Sequence, residues 1–170
     1  MRKTLLLSLL LCATSAVASA QAKQSKVSGA LACRPPSTNE FGGDRDQLVT
    51  FAKSSCTWST PMVVEGSKAT IANDVEIGEV NGSVARGRGF STSVMENGDT
   101  IVTRYEGVAN LKQGGAATFK GTWKFFRGTG KFAGINGGGT YSGAGNNDGG
   151  TVNVTGHYVI ASSKGKAKKE

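Results

Sequence analysis

The sequence lacks the residues on which several common functional sites depend. It contains one histidine, three cysteines and three prolines in 170 residues. A zinc site needs several histidine or cysteine ligands, and His157 has no such residue near it in sequence. The chain also has no G-x-S-x-G element, the turn that presents the serine of an α/β-hydrolase. We therefore predict no metal and no cofactor, and no residue can be assigned a catalytic role.

Helix signals and long apolar runs are also missing. After residue 20, no stretch shows apolar positions at three-and-four spacing, and the 25 glycines interrupt every candidate helix. The apolar run Leu5–Leu11 is too short to span a bilayer. With Arg2 and Lys3 before it and Ala18-Ser19-Ala20 after it, this run predicts a secretory signal peptide over residues 1–20. The expected location is therefore secreted or periplasmic.

Charge is unevenly distributed along the chain. The formal net charge is +8, and part of it lies in the segment 162–170, "SSKGKAKKE". This Lys-rich segment has no apolar periodicity, which predicts a disordered tail able to make weak contact with anionic surfaces. Elsewhere the basic residues do not cluster with aromatic residues, so no nucleic-acid partner is expected.

Two cysteines, Cys33 and Cys56, lie beyond the predicted signal peptide. In an oxidising compartment an isolated pair indicates a disulfide. The alternative is a catalytic thiol, which would need a histidine close by, and His157 is distant in sequence. We favour the disulfide.

Strand signals dominate residues 21–161, which we predict to form one domain. Runs rich in β-branched and aromatic residues alternate with turn residues every ten to fifteen positions. Asn81-Gly82 and Asn97-Gly98 predict hairpin turns of type I′, and Glu40–Asp46 is predicted to be a loop. The pattern indicates an all-β fold: a single antiparallel barrel of about eight strands, closed so that no edge is exposed. The predicted strands are Lys26–Arg34, Leu48–Lys53, Ala69–Ile77, Ser83–Met95, Thr100–Gly107, Ala116–Phe126, a glycine-rich strand around Tyr141, and Thr151–Ala161.

The glycine-rich stretch Phe125–Gly143, "FFRGTGKFAGINGGGTYSG", allows two interpretations. A phosphate-binding loop would need the fingerprint spacing and a following helix, and both are missing. The favoured interpretation is structural: Gly128, Gly130, Phe132 and Gly134 form a tight corner between two strands. The alternating glycines around Tyr141 would then let an aromatic ring lie over the backbone. The available rings are Trp123, Phe125 and Phe132.

Two segments carry a resemblance to a known family. Gly121–Gly143, with the corner "GTGKF", and "ENGDT" at Glu96–Thr100 resemble the bacterial allene-oxide-cyclase-like barrel proteins, relatives of plant allene oxide cyclases and dirigent proteins. The resemblance covers roughly Ser83–Ile160. It implies a calycin-like barrel of eight antiparallel strands, a trimer, and a cavity or barrel mouth that in plant relatives steers ring closure or radical coupling of hydrophobic substrates. The corner motif is typical of the fold and carries no catalytic group.

The residues themselves suggest where a ligand would lie. Thr103 and Tyr105 share the inward face of a strand with Ile101, Trp123 faces inward from the next strand, and Tyr141 lies among glycines. These four residues, Thr103, Tyr105, Trp123 and Tyr141, are the predicted pocket lining. Arg104 and Glu106, like Arg86 and Arg88, are expected on the solvated outer face.

Three functions follow as hypotheses. The first is a non-catalytic protein that binds a small apolar molecule inside the barrel or at its mouth. The second is a cofactor-free cyclase or isomerase acting on a hydrophobic substrate, and the third is a structural surface protein with a filled barrel. An acid or base that projects into an enclosed pocket would favour the enzyme over the binder. A filled interior would exclude both.

Overall fold

The computed structural model describes residues 24–41 and 47–161, and these residues fold almost entirely into β-strands. The predicted signal peptide and the predicted Lys-rich tail lie outside the described residues. The ten strands are β1 Ser25–Cys33, β2 Ser37–Phe41, β3 Gln47–Thr60, β4 Val63–Val64, β5 Ser67–Asn81, β6 Val84–Met95, β7 Thr100–Leu111, β8 Ala117–Gly128, β9 Ile135–Asn146 and β10 Gly149–Ile160. Single 3₁₀ turns lie at Gln113–Gly115 and Gly130–Phe132.

Eight of these strands close into an antiparallel barrel. The order around the sheet is β3-β1-β10-β9-β8-β7-β6-β5, and β5 pairs back with β3 to complete the ring. β2 adds to the free part of the β3 edge beyond β1, and β4 forms a short ladder with β5. Closure satisfies the backbone groups that an open sheet would expose at its edges. The all-β closed barrel predicted from the sequence is thus confirmed.

Two local predictions need correction. Glu40 and Phe41 belong to β2 and are not part of a loop, while residues 42–46 lie outside the described residues. The turns at Asn81-Gly82 and Asn97-Gly98 are not type I′, because only the glycine of each pair has positive φ. At the second turn, the Asn97 side chain accepts a hydrogen bond from the backbone N–H of Asp99 (3.3 Å) and donates one to the Asp99 carboxylate (2.7 Å). These two bonds stabilise the turn while Asn97 keeps a negative φ.

One end of the barrel is closed by an apolar core. Phe132 is fully buried there and packs in a cluster with Met95, Ile101, Val64 and Trp123. The cluster draws on the ends of β6, β8 and β10, the starts of β5, β7 and β9, and the segment before β5. Burying large apolar side chains of this kind contributes about 1.5–3 kcal/mol each.

The glycine-rich corner supports this closed end. β8 ends at Gly128, a 3₁₀ turn spans Gly130–Phe132, and Gly134 has a φ of +79° just before β9 begins. Phe132 lies over Gly128, where an added Cβ would meet the Cβ of Phe132 at 2.6 Å. Thr129 fixes the corner, since its hydroxyl donates to Asp99 (3.1 Å) and accepts the Thr100 N–H (2.9 Å). The glycines therefore form a bend that admits a buried ring.

The two cysteines form a disulfide across neighbouring strands. Cys33 in β1 stands directly opposite Cys56 in β3, and their sulfur atoms are bonded. Cys56 is buried with Leu31 and Ala72 in a second, smaller apolar cluster. The bond therefore joins the strands at one of the eight junctions of the ring.

Candidate functional site: the barrel cavity

The half of the barrel opposite the closed end is hollow. It contains a cavity of about 380 Å³. Exposed residues of the chain segments at this end, including Arg34, Pro36, Gly115 and Asn146, form part of its lining, so the cavity opens to solvent there. A volume of this size lies within the usual range for small-molecule sites.

Small side chains explain why this half stays hollow. Gly78, Gly87, Gly107 and Gly121 stand opposite one another in register on four successive strands, β5 to β8, and Tyr141 of β9 continues the row. Ala85 and Ala109 form the next inward-facing pair toward the mouth. At these positions no bulky side chain fills the barrel axis, as Phe132 and its neighbours do at the closed end.

The structure brings together the four residues that the sequence predicted as pocket lining. Thr103, Tyr105, Trp123 and Tyr141 all line the cavity. The rings of Tyr105 and Tyr141 meet edge to face, with centroids 6.0 Å apart, and the Trp123 indole N–H donates to the carbonyl of Thr140 at 3.1 Å. That these residues contact a ligand stays a prediction.

Sequence reasoning missed the two acids of the cavity, Asp74 and Glu76. They occupy successive inward positions of β5 and line the cavity. The hydrophobic pattern of β5 does not predict that these acids face inward, because the aliphatic residues of the same strand face outward. No local sequence signal locates them; their position follows from the register in the structure, where Cys56 lies opposite Ala72 and residues 74 and 76 share the face of the disulfide.

Asp74 lies deep in the wall, beside the disulfide. The Ser54 hydroxyl donates to its Oδ2 at 3.3 Å, and the Cys56 sulfur lies 3.5 Å from the same oxygen. A disulfide sulfur carries no hydrogen, so any hydrogen bond at this contact must come from a protonated carboxyl. Burial raises the pKa of Asp74, and hydrogen bonds from Ser91 and Ser54 oppose the rise.

Glu76 is paired with Tyr105. Burial raises the pKa of Glu76, a hydrogen bond with the Tyr105 hydroxyl lowers it, and the charge of Asp74 raises it further. Burial and the neighbouring acids also raise the pKa of Tyr105, and burial raises the pKa of Tyr141 to about 12. Both phenols are therefore neutral at physiological pH and available as hydrogen-bond donors.

Two glycines make room for this pair. A Cβ added at Gly87 would lie 2.6 Å from the Glu76 carboxyl carbon, and one at Gly89 would lie 2.8 Å from the Tyr105 hydroxyl. Any larger residue at either position would displace the polar group. The glycine positions of β6 therefore determine where Glu76 and Tyr105 lie.

A second tryptophan, Trp58, lines the cavity on the β3 side. Its indole nitrogen is buried and has no hydrogen-bond partner among the described residues. A buried donor left without an acceptor costs about 1–3 kcal/mol. Trp58 therefore offers an unsatisfied donor next to the cavity.

Asp74 and the two cysteines resemble a metal-binding cluster only by distance. Their potential ligand atoms lie within 4.8 Å of one another. Because Cys33 and Cys56 are bonded to each other, they present no thiolate to a metal ion. This cluster is therefore a structural disulfide beside an acid.

The outer face carries the remaining charged candidates. Arg86, Arg88, Arg104, Glu106 and His157 are exposed, as predicted from the alternation. Arg88 and Glu106 stand opposite each other on β6 and β7. None of these five side chains lines the cavity, so they take no part in the candidate site.

Comparisons with protein-family models, with curated proteins and with solved structures give no match for this chain. In the part of the chain described, no helix combines the length and apolar character needed to cross a bilayer.

Proposed function

We propose that this protein binds a small, largely apolar molecule inside the barrel. The observation that carries the proposal is the hollow half itself, a cavity of about 380 Å³ lined by Trp58, Tyr105, Trp123 and Tyr141. A protein that needed only a stable barrel would gain free energy by filling this space, since cavities lower stability.

A matched pair of variants tests the binding proposal. Ala109 lines the cavity near the mouth, whereas Thr118 is exposed on the neighbouring strand β8. We expect Ala109→Phe to lower the affinity for N-phenyl-1-naphthylamine, a neutral fluorescent probe, by about tenfold or more, because the ring occupies the cavity. Thr118→Phe should leave the affinity unchanged. Failure of the wild-type protein to bind the probe, together with no ligand in native mass spectra of protein from its host, would refute the proposal.

The two cavity acids support a second candidate, a cofactor-free cyclase or isomerase. A carboxyl that stays protonated can donate its proton to an oxygen atom of a bound molecule and recover a proton when the product is released. Glu76, hydrogen-bonded to Tyr105 and with a raised pKa, fits such a general acid. An acid that lines the cavity favours this candidate, and the allene-oxide-cyclase-like resemblance is in keeping with it.

Catalysis has its own test. A small-molecule extract of the host is incubated with wild-type protein and with Glu76→Gln, and both are compared by liquid chromatography and mass spectrometry. An isomerase converts a compound into one of equal mass and different retention time, and we expect that conversion with the wild type alone. If the two proteins leave the extract identical, the enzyme candidate is refuted and the binder stands.

Location and assembly complete the proposal. We infer an exported protein, secreted or periplasmic, because a disulfide forms stably in oxidising compartments. Exposed apolar residues of the outer face support an oligomer, namely Ile71, Val75, Ile77, Phe90 and Phe126. The family resemblance favours a trimer. Light scattering of the purified protein measures the mass, and a monomer at micromolar concentration would contradict this assembly.

A further inference from the structure

The cavity and the outer face of the barrel differ in charge. Asp74 and Glu76 line the cavity, and the only basic residue among the described lining residues is Arg34, which is exposed at the mouth. The outer face carries exposed basic residues, including Arg86, Arg88 and Arg104. The cavity wall therefore holds two acids with no cation facing them from within.

This arrangement is costly for an empty barrel. A buried carboxylate loses hydration that one or two hydroxyl groups replace only in part. Ser54 and Ser91 form hydrogen bonds with Asp74, and Tyr105 forms one with Glu76. Two amides of the same shape would avoid the cost. Perturbed acids in a cleft are therefore more often found where a ligand interacts with them.

The aromatic residues of the same cavity favour one charge in that ligand. Trp58, Trp123, Tyr105 and Tyr141 line the space beside the acids. The faces of aromatic rings attract ammonium groups, most strongly where water is excluded. The acids repel a carboxylate or phosphate, and the apolar wall accommodates a hydrocarbon body. Acids and rings together match an alkylammonium group attached to an apolar body.

We propose that the cavity is a binding site for an organic amine, whose ammonium group lies between Asp74 and Glu76 and whose apolar body contacts the aromatic wall. This inference rests on the proposed binding function and specifies its ligand class.

Three probes of matched length separate amine binding from apolar binding. These are 4-phenylbutylamine, 4-phenyl-1-butanol and 4-phenylbutyrate, which share one ring and chain and differ in the terminal group. Both tryptophans of the chain, Trp58 and Trp123, line the cavity, so their fluorescence reports binding directly. We expect the amine to bind about tenfold more tightly than the alcohol, the scale of one charge-assisted hydrogen bond. The carboxylate should bind most weakly.

Variants on one strand identify the acids as the cause. Glu76→Gln and Asp74→Asn keep side-chain size and remove the charge, and each should lower amine affinity about tenfold while leaving the alcohol unchanged. Glu79→Gln is the matched control, because Glu79 lies on β5 with its side chain exposed. Equal amine affinity in Glu76→Gln, Asp74→Asn and wild type would overturn the inference.

The wild-type protein alone gives an independent test. An alkylammonium group keeps its charge below about pH 10. A change in amine affinity between pH 4 and 8 must therefore come from titration of groups of the protein. The titratable or charged groups that line the cavity are Asp74, Glu76, Tyr105, Tyr141 and Arg34. The pKa values of both phenols are raised, so the phenols stay neutral in this range. Amine affinity should therefore rise with pH as the carboxyls ionise, and alcohol affinity should not.

The outcomes separate the two proposals. If the alcohol binds as tightly as the amine, or if amine affinity is flat with pH, the amine inference fails and the apolar binder stands. If none of the three probes and no N-phenyl-1-naphthylamine binds, the proposed function fails and the amine inference fails with it.

Discussion

The two halves of this barrel are built from the same strands, yet one is filled and the other hollow. At the closed end Phe132, Met95 and Ile101 meet across the barrel axis and exclude water. In the open half the inward positions of the same strands carry alanine, serine and glycine, such as Ala85, Ser91 and Gly87. Side-chain volume at the inward positions therefore decides where a barrel is core and where it is cavity.

The comparison also separates stability from binding. The closed half holds the fully buried large apolar side chains, whereas the open half holds two acids, a disulfide and five aromatic residues around a space. Changes at the closed end should therefore act mainly on folding, and changes in the open half mainly on ligand binding and its pH dependence.

The largest effect is expected at the closed end. Phe132→Ala removes a ring with no exposed surface and leaves a void against Gly128. We expect a loss of about 3–5 kcal/mol in the free energy of unfolding, measured by urea denaturation. The outward-facing Phe126→Ala, at 58% exposure, is the control and should cost under about 1 kcal/mol. Similar losses in both variants would remove the distinction between core and surface.

The disulfide comes next. Replacing Cys33 and Cys56 together by alanine should lower the free energy of unfolding by about 3 kcal/mol, because the reduced unfolded chain is less constrained. Thermal melts with and without a reducing agent give the same comparison on the wild-type protein. If reduction leaves the wild-type melting temperature unchanged, the disulfide adds nothing to the barrel.

The cavity acids should give stability a dependence on pH that the closed end lacks. The folded-state pKa values of Asp74 and Glu76 are raised above the ordinary 3.8 and 4.5. Their contribution to the free energy of unfolding is therefore complete below pH 4 and is lost as pH rises through the folded-state pKa values. The free energy of unfolding falls by at most about 1.4 kcal/mol per pH unit for each proton released. The double variant Asp74→Asn/Glu76→Gln should flatten this slope between pH 4 and 8. An unchanged slope in thermal melts would show that other groups produce it.

The smallest effect is expected on the outer face of the open half. Arg88 and Glu106 are exposed and opposed across β6 and β7. Glu106→Gln should change the free energy of unfolding by under about 0.5 kcal/mol and leave probe binding intact, since exposed pairs are screened by water and salt. A change in probe affinity would mean that substitutions on the outer face alter binding in the cavity.

Much of the fold could be predicted from the sequence, because strands and turns depend on local patterns. Alternation located seven of the eight ring strands, and glycine spacing located the eighth around Tyr141. The ends of β3 and β5 were underestimated: both run on well past the predicted limits, since pairing with a neighbour extends a strand whose own residues are mixed. β2 and β4 were missed for the same reason.

The cavity acids could not be predicted, because hydrophobicity points to the wrong face of β5. Ile71, Val75 and Ile77 are 43%, 40% and 48% exposed, while Asp74 and Glu76 of the same strand line the interior. Which face turns inward depends on barrel closure and register, and neither is encoded locally. A strand that breaks the ordinary pattern in this way is itself a pointer to function.

The junction of β1 and β3 has a consequence for how the ring could come apart. It is the shortest ladder of the closed ring, with Ala30–Cys33 paired against Thr60–Cys56, and β1 stops where Pro35-Pro36 interrupts it. The Cys33–Cys56 bond lies at the end of that ladder nearest the mouth. If a small dithiol reduced this bond, only the few hydrogen bonds of the ladder would still join β1 to β3 beside Asp74. The redox state of the surroundings thereby affects the stability of the barrel wall next to a bound molecule.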